Sequence, residues 1–408
     1  MPKLSNKISI LHNLPQRQRG AVLMVMVVIL IFGATAMLLN SLNNSTQQLA
    51  RAKITADALA QAKEALISYA ISSENSGSAT ARPGNFPCPD TDAPGTGAYG
   101  SEQGSCSSAG GTAIGRLPWK TLGISELVDA DGEPLWYAVS DNFRKSVGII
   151  NSDTPGNLQV YDRDGNTLLT PQGSEAVAIV FAPGRITGTQ QRNTTSDKTT
   201  VSNYLDTVNG RNNATSNGPF IAADKSDSFN DRLIMIRTRD FIPIIEKRVA
   251  LALKIILENY RLANGVYPYP ATFSSCQDNM SCTSNNMICR GRLPQTALPA
   301  PWGGSSAMPI TGSSDWFMAN KWYRVIYYSA GTNRLATIPP GCSATLDVSG
   351  NSTAALFFMP GTPLGSITRT AYPNNNLAWY LEDTENNNLD DIYITPSTNS
   401  NDQIYALP

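Results

Sequence analysis

The sequence predicts an α+β chain. A long N-terminal membrane-spanning helix continues into a head built of a helix and an antiparallel sheet, and a second copy of that head follows. Three observations predict it. Residues 21–39 are 19 consecutive residues without a charge, enough to cross a bilayer as a helix. Directly after them, apolar residues recur at three- and four-residue steps. Short motifs found after this helix then recur, in the same order, after a second one.

Residues 1–20 hold Lys3, Lys7, Arg17 and Arg19 and no acid, so they read as a basic leader. A basic flank stays on the cytoplasmic side, which places the chain after Leu42 outside. Residues 21–43 are the expected span. Leu49, Ala52, Ala56, Leu59, Leu66, Ile67 and Ala70 then mark one apolar stripe, with Arg51, Lys53, Asp57, Lys63 and Glu64 on the other faces. The helix is expected to run to about Ser73. Ser76 to Gly111 is rich in Gly, Ser, Pro and Asp and reads as loop. Strands are expected at Leu135–Val139, Ala176–Phe181 and Arg232–Arg237. A second amphipathic helix begins near Asp240, carries Pro243 in its first turn, and ends at Asn264-Gly265.

The repeated motifs fix the organisation. Leu66-x-x-Tyr69 recurs as Leu257-x-x-Tyr260, and Phe86-Pro-Cys-Pro89 as Tyr267-Pro-Tyr-Pro270. Gly115-Arg-Leu-Pro118 recurs as Gly291-Arg-Leu-Pro294, and Trp136-Tyr137 is matched to Trp322-Tyr323. Phe181-Ala-Pro-Gly184 answers Phe358-Met-Pro-Gly361, Tyr204-Leu-Asp206 answers Tyr380-Leu-Glu382, and Asn230-Asp231 answers Asn401-Asp402. Each is weak alone, but seven in order indicate a tandem duplication. The expected divisions are 1–20, 21–43, a first head over 44–238 and a second over 239–408, the second complete enough to fold alone.

Composition narrows the function. The 408 residues carry 31 basic and 32 acidic side chains, a net charge of −1, so a broad basic field for nucleic acid is missing. The one histidine, His12, lies in the leader. A chain without it has no Ser-His-Asp triad, Cys-His dyad or His-ligated metal. Asp129, Asp131 and Glu133 sit in a Gly-Pro setting that reads as a turn. No catalytic constellation is found, and the chain is read as not an enzyme.

The Arg19-Gly20 junction ahead of an apolar run resembles the class III signal of type IV pilins and pseudopilins. The resemblance is specific over residues 15–70 and loose over the heads, where Leu298-Pro-Ala-Pro-Trp-Gly303 resembles a pseudopilin stretch. It implies that a prepilin peptidase cuts after Gly20 and methylates Ala21, and that the apolar helix packs among other pilin or pseudopilin subunits. Most of the family has Glu at the fifth mature position; here it is Val25, which speaks for a minor subunit that starts, caps or decorates a type IV pilus or type II secretion pseudopilus. The implied location is the inner membrane, single-pass, with periplasmic C-terminal domains, at a filament tip or cell surface. The rival reading is a signal-anchored periplasmic adhesin or binding module outside any filament.

Six cysteines, Cys88, Cys106, Cys276, Cys282, Cys289 and Cys342, suit disulfides in an oxidising compartment. Only Cys88 and Cys106 lie in the first copy, so they are expected to pair. No C-x₂-C spacing supports zinc. Asp383, Glu385, Asp390 and Asp391 offer hard oxygen ligands suited to calcium, and the same composition suits a solvated turn; no other cofactor is expected. Trp136, Tyr137, Trp302, Trp316, Trp322, Tyr323, Tyr327 and Tyr328 suit core packing better than a glycan platform.

Overall fold

The computed structural model describes residues 19–73, 82–106, 112–145, 148–216, 218–274, 282–294, 316–331, 340–365, 367, 369, 376–388, 390–397 and 399–408, the side chains of residues 19–44, Thr112 and Met318 excepted. The chain divides into two compact units, Met1–Ile54 and Thr55–Pro408.

Helix α1 covers Arg19–Ser72. In the first unit, its described side chains from Ser45 to Ile54 are exposed, Leu49 and Ala52 among them. The apolar stripe therefore starts later than the periodicity predicts. In the second unit it comprises Ala58, Leu59, Ala62, Leu66 and Ala70, while Ala56 is exposed.

The membrane-anchored α+β architecture needs correction. Among the described residues strands outnumber helices, and no helix is long and apolar enough to cross a membrane. The physical reason is charge. From Ser45 onward α1 carries Arg51, Lys53, Asp57, Lys63 and Glu64, and the second long helix is charged throughout. The side chains of the expected span, residues 21–39, lie outside the described residues. The single-pass inner-membrane location loses its support with the span.

The second unit holds two four-stranded antiparallel sheets. The first comprises β1 (Thr112–Arg116), β2 (Trp136–Ser140), β4 (Ala176–Ala182) and β8 (Arg232–Arg237), in the order β1-β2-β4-β8. A short parallel ladder, β3 (Val160–Tyr161) with β7 (Phe220–Ile221), and a hairpin of β5 (Thr207–Val208) and β6 (Arg211–Asn212) lie between these strands in the chain. Both faces of the first sheet are buried, and side chains alternate between them. Tyr137, Val139, Ala178 and Val180 join the core that includes the helices. Trp136, Ala138, Ile179 and Phe181 join a second core with Leu158, Tyr204 and Phe220. That two-sided burial explains why these strands are unbroken apolar runs.

Helix α2 (Thr238–Asn264) follows β8 directly. It starts two residues earlier than expected, so Pro243 sits past the first turn. Gly265 ends it in the left-handed region at φ 74°, its N–H bonded to the Arg261 carbonyl at 2.7 Å. The second sheet takes β9 (Arg290–Arg292), β10 (Tyr327–Ala330), β13 (Ala355–Met359) and β15 (Gln403–Leu407), in the order β15-β13-β10-β9. Between them fall α3 (Trp316–Ala319), the hairpin β11 (Leu346–Val348) with β12 (Asn351–Thr353), α4 (Thr384–Asn387), and β14 (Ile392–Tyr393), which runs parallel to β11.

The two sheets carry matching detail. Gly115 faces Tyr137 across β1 and β2, and Gly291 faces Tyr328 across β9 and β10. The Tyr137 and Tyr328 hydroxyls donate to the carbonyls of Pro87 and Pro268, at 3.2 and 3.0 Å. Trp136 lies opposite Phe181, and Tyr327 opposite Phe358. Tyr327-Tyr328, not Trp322-Tyr323, therefore hold the place of Trp136-Tyr137; Trp322-Tyr323 fall in a short turn of 3₁₀ helix. The glycine of each Gly-Arg-Leu-Pro motif has a steric reason. A Cβ at Gly115 would fall 2.6 Å from the Asp90 carbonyl oxygen, and one at Gly291 would overlap that of Ala271. Gly184 and Gly361 likewise sit at φ +66° and +63° against Asn230 and Asn401.

Among the described residues, no strand of either half enters the other's sheet. The apolar core, however, runs without interruption through both. Phe241 of α2 packs on Phe86 and Phe143, with ring centroids 4.8 and 6.0 Å apart. An isolated 239–408 segment would bare the Phe241 ring, which argues against its expected independence.

Candidate functional site

Gly20 and Ala21 lie in α1, where the structure describes the backbone alone. Cys88 and Cys106 are joined, with Cα atoms 5.4 Å apart, and Cys289 is joined to Cys342. Cys282 is buried and disulfide-bonded. Cys276, Trp302 and the Leu298–Gly303 stretch lie outside the described residues. The remaining aromatics of the candidate platform, Trp136, Tyr137, Trp316, Trp322, Tyr323, Tyr327 and Tyr328, are buried.

The acidic loop is spent on internal bonds. The Asp391 carboxylate accepts from Arg290 Nε at 2.6 Å and from the Ser343 N–H at 2.8 Å. Burial would raise its pKa, but the Arg290 hydrogen bond prevails and holds it below the usual carboxylate range. Asp383 accepts from Ser397 N–H, Glu385 from the Asn388 amide, and Asp390 from Ile392 N–H. Among the described residues no three His, Cys, Asp or Glu side chains converge on a point a metal could occupy. Asp129 likewise organises a turn, accepting from the N–H groups of Asp131, Glu133 and Gly184.

Two equivalent acid latches close the heads. In the first, Asp206 accepts from the Asn230 N–H at 2.8 Å while Asp231 accepts from the Asp206 N–H at 2.9 Å. In the second, Glu382 accepts from Asn401 N–H at 3.3 Å and Asp402 from Glu382 N–H at 3.2 Å. An arginine seals each one. Arg192 lies over the Tyr204 ring and donates to the Gly184 carbonyl; Arg369 lies over Tyr380 and donates to the Gly361 carbonyl. Burial, then the neighbouring acid, pushes Asp231 and Asp402 upward. Asn213 bonds both backbone groups of Ile221, and Asn386 does the same for Ile394.

Side chains that sequence reasoning did not flag join the two halves. Arg369 reaches Asp153 of the first half at 3.4 Å, in addition to Glu382 at 3.5 Å. The Asn320 amide oxygen accepts from Arg82 Nη1 at 3.0 Å and from Ile150 N–H at 2.9 Å, while its carbonyl accepts from the Asn151 amide. At the centre lies Glu246, fully buried on α2. Its Oε1 accepts from Ser152 Oγ at 2.5 Å and from Gly361 N–H at 2.8 Å, and its Oε2 from Gln403 Nε2 at 3.2 Å. Burial outweighs these donors and pushes Glu246 up to about 7. One signal for it was available: Glu246 interrupts the apolar stripe of Ile242, Val249 and Leu253. Chemically, this junction can bind and release a proton and can hold two sheets in register. No family model, curated protein or solved structure matches the chain.

Proposed function

We propose that the chain is a pilin-like structural subunit that acts by assembly. It would initiate, cap or decorate a type IV pilus or type II secretion pseudopilus, with other pilin-like subunits as partners and a prepilin peptidase as its processing enzyme. The observation that carries this reading is α1: one helix, described over Arg19–Ser72, that includes the Arg19-Gly20 junction and whose final turns supply Ala58, Leu59, Ala62, Leu66 and Ala70 to a head core. The polar groups of the heads support it as well, because their buried acids and arginines are used in latches that hold shape. The role rests on helix packing and invokes no membrane span.

Processing tests the proposal. Co-expressed with a prepilin peptidase, the chain should lose residues 1–20 and begin at a methylated Ala21. Gly20→Val should leave the longer species. An N-terminus that stays at Met1 in the assembled form would remove the pilin-like reading and favour the adhesin or binding module.

A further inference from the structure

Helix α2 carries an apolar stripe on the wrong side for its own core. Ile244, Leu251, Ile255 and Leu262 are 36%, 50%, 63% and 72% exposed. At about 100° per residue they fall within roughly 20° of one line along the helix. Leu253, Glu246 and Tyr260, all buried, lie on the opposite side. The stripe therefore points straight away from the core and is not the margin of the buried face.

The repeat makes the stripe stand out. Laying Leu66-x-x-Tyr69 of α1 on Leu257-x-x-Tyr260 of α2 brings buried Ala58, Leu59 and Ala62 onto buried Val249, Ala250 and Leu253. The positions of the α2 stripe then correspond to Lys53, Ala60, Glu64 and Ile71 of α1. The inward face is shared by both helices, and the continuous outward apolar line belongs to α2 alone.

Its spacing shows what fits it. Ile244 and Leu262 are equidistant from Leu253, as are Leu251 and Ile255. A second α2 laid antiparallel about a two-fold axis at Leu253 sets Ile244 against Leu262 and Leu251 against Ile255, each contact made twice. One pair of flanking charges is complementary across this axis, while Arg248, on the other flank, comes level with Asn259 of the second copy, within about 2 Å. Lys247 and Glu258 lie on the same side of the stripe, so Lys247 of one copy comes level, within about 2 Å along the axis, with Glu258 of the other. Glu258 is held at that flank by Arg261 and by the Tyr267 hydroxyl, at 3.0 and 2.7 Å. Lys254 meets its own copy farther round the same flank, which opposes the pairing. The four side chains alone bury less than the roughly 1,200 Å² of a stable interface, so the pair is a weak, reversible one.

We propose that the outward face of α2 is a self-association surface, on which a second copy of this chain docks antiparallel about Leu253. Cross-linking of the full chain tests it. Among the described residues no cysteine is free, so an engineered thiol is the reactive one. A mixture of Ile244→Cys chains and Leu262→Cys chains should give a dimer with a short bis-maleimide. Either chain alone should give none, because Ile244 and its copy are about 27 Å apart along the axis. Adding Ile255→Glu to both should cut the cross-link at least tenfold, with circular dichroism unchanged at this exposed position. Self-cross-linking of one single-cysteine chain would overturn the antiparallel pair. So would indifference to Ile255→Glu, absence of any cross-link, or capture only of a different protein.

Discussion

Replacing Glu246 by Gln should stabilise the protein, and by an amount that grows with pH. Glu246 is raised from 4.5 to about 7 by burial. Between those values the folded protein holds a proton that the unfolded chain releases, so folding loses stability as pH rises through this window. At 1.36 kcal/mol per pH unit, the full penalty above about pH 7 is about 3 kcal/mol. Gln resembles the protonated acid: its carbonyl oxygen can accept from Ser152 and Gly361. Its amide would face the Gln403 amide, 3.2 Å from Oε2 in the parent, and one imperfect contact costs about 1 kcal/mol. The variant should thus gain about 2 kcal/mol near pH 8 and lie within about 1 kcal/mol of the parent near pH 5. Urea unfolding followed by tryptophan fluorescence, at several pH values between these, measures the difference. Comparing the two proteins cancels the titration of Asp231 and Asp402, which both retain. A difference that stays constant with pH would refute the reasoning.

Four further outcomes follow from the contacts described above. Phe241→Ala removes a ring packed on Phe86 and Phe143 and should cost about 3–5 kcal/mol, with both halves still melting in one calorimetric transition. Asn320→Ala strands the Ile150 N–H and an Arg82 donor and should cost about 1–3 kcal/mol in a denaturant titration. Joint replacement of Cys88 and Cys106 by Ser opens a loop of sequence separation 18 and should cost about 2–4 kcal/mol by the same measurement. For the acidic loop, calcium and a chelator should leave the melting temperature unchanged, since Asp391 is already bound to Arg290; a clear rise with calcium would reverse that reading.

Local pattern made much of the fold legible. Val177 to Phe181 could be read as a strand because a sheet buried on both faces needs an unbroken apolar run. Helix α2 could be read from its period and from Asn264-Gly265. The start of the α1 stripe could not: Leu49 and Ala52 keep the period although they are exposed. Matching identical letters misplaced one repeat anchor, because Trp322-Tyr323 share residue types with Trp136-Tyr137 while Tyr327-Tyr328 share their register. The junction was the least legible part. Arg369 finds Asp153, and Arg82 finds Asn320, across separations of 216 and 238 residues, and no local spacing reports such pairs. Composition likewise made the acidic loop look ligand-rich, but could not show that a distant Arg290 takes Asp391.

The assembly role is tested most directly by mass spectrometry of filaments sheared from cells that make this chain. The proposed role predicts substoichiometric recovery of the chain in the filament fraction, with Ala21 at its amino terminus and with loss of recovery for Gly20→Val. A chain absent from filaments while abundant and folded in the same cells would contradict it.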